Sequence, residues 1–100
     1  MKDMDTLMRE QARLIILKAL AAQIHEELNS DLVVSELEPF GIRKGRHFVH
    51  EEFAYLAEVG AVKVETIGTI QLARLTERGH RHLRREIAIE GVKRPSRPGD

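Results

Sequence analysis

The chain has 100 residues, 42% of them apolar, with 16 Lys or Arg against 16 Asp or Glu and no cysteine. This is one domain's worth of sequence with room for a core, and three Phe and one Tyr as its only aromatics make that core aliphatic. The absent thiols exclude a disulfide framework and a thiolate metal site and fit a reducing compartment. The balanced charge counts against strong nucleic-acid affinity for a monomer.

The opening stretch MKDMDTLMRE carries acids and no apolar run, so it does not read as a signal peptide. No apolar run approaches the length of a membrane span. A first helix is predicted over 6–28, capped by Asp5 or Thr6. Leu7, Leu14, Leu17, Ala21, Ile24 and Leu28 fall on one stripe at helical spacing and should face the core. Met8, Ile15, Ile16 and Leu20 lie off that stripe, which leaves the middle of the helix apolar nearly all round. Such a helix is covered on more than one side. A second copy of the chain is the expected cover, which makes those four the dimer interface. The chain's own C-terminal helix is the alternative.

Ser30 is expected to cap a short second helix over 31–38 that buries Leu32, Val33 and Leu37. Pro39 ends it, Phe40 should pack under the turn, and Gly41 permits a left-handed backbone. A third helix is predicted over 44–58 with Gly60 as its stop. Val49, Phe53 and Leu56 face the core with Phe48 beside them. Arg46, His47, His50, Ala54 and Glu58 face outward. A hairpin follows over 61–75, with Gly68 at its tip and a twist or bulge near Ala73. Thr76 caps a last helix over 77–88, where Gly79 allows close approach to the sheet and Leu83 and Ile87 are apolar. Residues 91–100 are basic and rich in Pro and Gly, and read as an extended tail after a domain over 1–90.

The predicted fold is thus mainly α with a small β-hairpin, in the order α1-α2-α3-β-β-α4. Helix, turn, helix and hairpin in sequence is the pattern of a winged helix-turn-helix. The second helix of the pair is the one offered to a DNA major groove.

Charge is uneven. Residues 77–100 hold seven Arg or Lys against four acids, and residues 30–60 hold three against six. The three bases of that acidic stretch cluster at Arg43, Lys44 and Arg46. A helix N-terminus with such neighbours suits phosphates, and Arg46, His47 and His50 are candidates for base edges. Glu51, Glu52 and Glu58 oppose phosphate. Thr69 at the wing tip is a weak candidate contact, since the tip carries no Arg or Lys. Lys93 and Arg94 could lie along a phosphate backbone. His47 and His50 share a helix face but lack a third ligand, so no metal site and no cofactor are expected. No phosphate loop, nucleophile elbow or paired-acid frame is present, so no enzyme is expected.

The runs Ala57-Glu58-Val59-Gly60-Ala61-Val62 and Leu75-Thr76-Glu77-Arg78-Gly79 resemble the elements that open and close the wing in regulators of the ArsR, MarR and PadR kind. The whole layout, with QARLIILKAL in the first helix and Gly91-Val92-Lys93-Arg94-Pro95 near the end, is similar to a family of small proteins from Mu-like phages and prophages. The resemblance implies a winged helix and a phage context, hence a bacterial cytoplasm. The leading expectation is a dimeric protein binding double-stranded DNA as a transcriptional regulator. The alternative is a winged helix used as a protein-interaction module without DNA binding, as in phage assembly or host takeover.

Overall fold

A computed structural model describes residues 1–97 of the chain. The last three residues of the expected tail lie outside the described residues. The elements run α1 (Met4–Ala21), β1 (Glu27–Asn29), α2 (Ser30–Leu37), a 3-10 turn (Glu38–Phe40), α3 (Arg46–Glu58), β2 (Val62–Ile67), β3 (Ile70–Leu75) and α4 (Glu77–Leu83).

Asp3, not Asp5 or Thr6, caps α1: its carboxylate accepts the Thr6 N–H at 2.8 Å. The helix stops at Ala21, well short of residue 28. Glu26 turns the chain with φ 58, and 27–29 then pair antiparallel with β3, Leu28 opposite Ala73. A strand replaces the expected last turns of helix because the free sheet edge offers those amides a ladder. Local helix propensity is a weak prior against that. Ile24, expected in the core, is therefore exposed; Leu7, in the first turns of α1 and also expected there, is exposed too, while Leu14, Leu17 and Leu28 are buried.

Asn29 caps α2 through a 2.9 Å bond from the Leu32 N–H, and Ser30 is already inside the helix and fully buried. Leu32 is exposed, so the buried face of α2 is Val33 and Leu37. Phe40 does not pack under the turn; it is 59% exposed, and Ile42 is buried in its stead. Gly41, with φ 81, ends the 3-10 turn. Helix α3 closes as expected: Gly60 at φ 79 lets its own N–H reach Ala57 O at 3.0 Å and the Ala61 N–H reach Leu56 O at 2.8 Å, the two bonds of a Schellman end.

The sheet is antiparallel and three-stranded, in the order β1-β3-β2. Register between β2 and β3 is unbroken from Val62–Leu75 to Ile67–Ile70, so there is no bulge at Ala73. Ala73 is paired on both sides and fully buried, which calls for a small side chain. Gly68-Thr69 forms the two-residue turn with φ 61 at Gly68. Thr76 caps α4, accepting the Gly79 N–H at 3.1 Å and donating to Gly60 O at 2.6 Å.

Helix α4 ends at Leu83 rather than Ala88. Arg85 takes φ 63, and Glu86 N–H reaches back to Arg81 O at 2.9 Å. Residues 91–97 do not hang free. Val92 and Pro95 are buried, the Lys93 N–H donates to Glu10 O at 3.1 Å, and Arg85 donates to Pro95 O. His82, fully buried, fastens this strap: its Nδ1 accepts the Ile89 N–H at 3.1 Å and its Nε2 meets Lys93 O at 3.0 Å.

Helix α1 thus packs against α2, α3, α4, β1 and β3, and the strap lies along it. Ile15, Ile16 and Leu20, read as a dimer interface, are buried within the single chain, and Met8 is half-buried against the same core. The apolar middle of α1 needs no second copy to cover it. Four helices with a hairpin after the third make a winged helix-turn-helix of the α+β kind.

Candidate nucleic-acid interface

Helix α3 is held by three sets of polar contacts. Ser30, buried at the start of α2, has a hydroxyl that accepts the Gln71 N–H of β3 at 3.1 Å and lies 3.0 Å from His50 Nε2. One side chain thereby joins α2, α3 and the wing. Ser30→Ala is expected to destabilise the fold by about 1–3 kcal/mol, since it leaves a strand amide without its acceptor; urea unfolding measures it.

The second set is Arg46 on Asp31. The guanidinium donates from Nε and Nη2 to both carboxylate oxygens, at 2.8 and 3.0 Å. That hydrogen bonding holds the Asp31 carboxyl below the usual carboxylate range and raises Arg46 in turn. Both side chains are about half exposed, so the pair spans α2 and α3 on the surface. The third set is buried. Glu52 receives Arg9 Nη1 and Arg13 Nε of α1, each at 2.5 Å, with only 2% of its side chain exposed. Arg13 also donates to Gly91 O at 2.8 Å and lies 3.7 Å from the centre of the Tyr55 ring. The Tyr55 hydroxyl donates to Glu90 O at 2.8 Å. Arg9 sits 4.9 Å from the centre of Phe48. Burial pushes its guanidinium down, and the bonds to Glu52 and Asp5 more than offset that.

The expected contact residues therefore divide. Arg43 and Lys44 are exposed in the approach to α3, with Lys44 Nζ 6.0 Å from the centre of the Phe48 ring. His47 is the most open of the α3 candidates, its side chain 91% exposed and 3.4 Å from Glu51. Arg46 is exposed but engaged by Asp31. His50 is half-buried and spent on Ser30. Thr69 is exposed at the wing tip. Lys93 and Arg94 are exposed on the strap, which α1 and α4 position, and they do not belong to α3.

Gly45 is the N-cap of α3 and offers no side-chain acceptor to its first amides. A helix N-terminus left in this state, next to two exposed cations, can receive an anion. Glu52, read as repulsive to phosphate, is neutralised by two arginines. Its position between Val49 and Phe53 on the inward stripe was a signal for burial. Nothing local marks Asp31 as the partner of Arg46, since the two lie on different helices. Among the described residues no group of three His, Cys, Asp or Glu is placed to hold a metal ion. No helix there is long and apolar enough to cross a membrane.

No protein-family model matches the chain. It is 30% identical over 89 residues to the uncharacterized protein gp26 of Escherichia phage Mu, a match that covers 89% of this chain and 92% of the phage protein. Among solved structures it is similar to Sco3205, a MarR family transcriptional regulator from Streptomyces coelicolor crystallised in complex with DNA, with a TM-score of 0.63 and 23% identity. That likeness is one of fold. It covers 81% of this chain and 52% of the regulator, so the chain spans about half the regulator's length.

Proposed function

The chain belongs to the family of gp26 of Escherichia phage Mu, and on that footing we propose that it binds double-stranded DNA and acts as a phage- or prophage-encoded transcriptional regulator in the bacterial cytoplasm. The observation that carries this is the start of α3: a glycine cap without a side-chain acceptor, next to the exposed side chains of Arg43 and Lys44. The winged-helix fold, shared with a MarR regulator solved on DNA, supports it. Arg43, Lys44 and the first amides of α3 hold phosphates. His47 is aimed at the groove, and His50 orients the helix instead of reading bases. Thr69 approaches the neighbouring backbone.

Binding to a pool of random duplexes is expected to weaken steeply with salt. The slope of log K against log salt is about −0.9 per phosphate contact, so the double variant Arg43→Ala/Lys44→Ala should flatten it by about two contacts' worth. Gel retardation across a salt series measures this. No retardation at low salt would give the fold to the second reading, a protein-interaction module. A neutral net charge, a wing tip without cations and an engaged Arg46 favour that second reading.

Asp31 has an opposite sign of effect. Asp31→Asn removes a carboxylate from the DNA-facing side and frees Arg46, so affinity should rise by about threefold to tenfold, most strongly at low salt. A fall in affinity would show that the pair is needed to set the angle between α2 and α3.

A further inference from the structure

The basic pair Lys93 and Arg94 remains unused by α3, and the strap places it elsewhere. Both side chains line a cavity of about 360 Å³ between α1, the end of α2 with its 3-10 turn, and residues 93–96. None of Arg43, Lys44, Arg46 or His47 lines that space. Its apolar walls are Leu14 and Ile15 of α1 and the ring of Phe40. This accounts for an otherwise unexplained aromatic: Phe40 is 59% exposed although the turn beneath it is filled by Ile42.

Three cations stand on the rim, Lys18, Lys93 and Arg94, with one carboxylate, Glu36. All four are exposed, and among the described residues none of them is held in a salt bridge. This sets them apart from Arg9, Arg13, Arg46, Arg74, Arg81 and Arg84, each of which is paired with a carboxylate. The cavity therefore has an apolar floor, a free guanidinium and an excess of positive charge. Its volume lies in the range of roughly 300–1,000 Å³ that small-molecule sites occupy.

We infer that this cavity binds a small organic anion, with an apolar, preferably aromatic body between Leu14, Ile15 and Phe40 and a single carboxylate on Arg94, assisted by Lys93 and Lys18. A guanidinium takes a carboxylate through two parallel hydrogen bonds, which fixes its orientation as well as its charge. Glu36 sets the charge of the ligand: one negative group is attracted, while a run of phosphates would meet the carboxylate. The site is distinct from the α3 surface, and its occupancy does not depend on DNA binding.

The test is a heteronuclear NMR titration of the whole chain with 2-naphthoate, with 2-naphthylmethanol as the uncharged counterpart. Saturable shifts are expected at the amides of Phe40, Lys93 and Arg94 and at the methyl groups of Leu14 and Ile15. The alcohol should bind at least about tenfold more weakly, as should naphthoate to Lys18→Glu/Arg94→Glu, because a charge-assisted hydrogen bond is lost in each case. Glu36→Gln should tighten binding. These are surface side chains, and unchanged amide shifts in α3 and the wing establish that the variants are folded. Shifts that never saturate at millimolar probe, shifts centred away from these residues, or equal binding of acid and alcohol would each overturn the inference.

Discussion

Glu52→Ala is expected to lower the unfolding free energy by about 3–5 kcal/mol, because it strands two arginines beside the core. Glu52 side-chain exposure is 2%, and that of Arg9 and Arg13 is 29% and 12%. Neither guanidinium can regain full hydration without leaving its aromatic neighbour, Phe48 or Tyr55. The acid is worth little for its own sake: a buried ion pair gains little over an apolar replacement, but removing one partner leaves charge without compensation. Urea denaturation of wild type and variant at neutral pH reads the difference. A loss under about 1 kcal/mol would mean that the arginines swing out to water at no cost, as exposed pairs do.

Gly79→Ala should also destabilise, by about 2–3 kcal/mol, through overpacking at a site that cannot yield. The sign is informative. An alanine in an exposed helical position usually gains about 0.5–1 kcal/mol over glycine. Here an added Cβ would stand 2.5 Å from Ala61 O and 2.5 Å from Leu75 Cδ1. The first is backbone, and it already accepts the Thr76 N–H at 3.1 Å. The base of the wing and the start of α4 would have to part. Thermal unfolding of the variant measures the effect, and a raised midpoint would disprove the contact.

These two sites show how unevenly the fold could be read from the residues. The Leu75-Thr76-Glu77-Arg78-Gly79 run was legible because each part acts locally: Thr76 caps, Gly79 clears the sheet, Leu75 ends the strand in the core. Gly41, Gly60 and Gly68 punctuated the chain for the same reason. The end of α1 was not legible. Residues 22–28 are mostly good helix formers without Gly or Pro, yet the helix stops at Ala21 so that 27–29 can pair with β3 residues distant in sequence. The end of α4 was hidden by Arg85, which takes a left-handed conformation usually given to glycine. At α3 the outward position of His47 followed from helical spacing, and Arg43 and Lys44 were legible as basic residues clustered at its start. The engagement of Arg46 by Asp31 and of His50 by Ser30 did not, because spacing says which way a side chain points and nothing about what meets it from another helix.

The strap has a bearing on how the molecule is made. Lys93 reaches across to Glu10, and Val92 and Pro95 complete the cover over the first helix. During synthesis, α1 is made long before residues 92–95, so part of the cover over its apolar middle is missing until they emerge. A chain cut before Val92 is therefore expected to expose apolar surface on α1 and to be cleaved faster by a protease than the intact one.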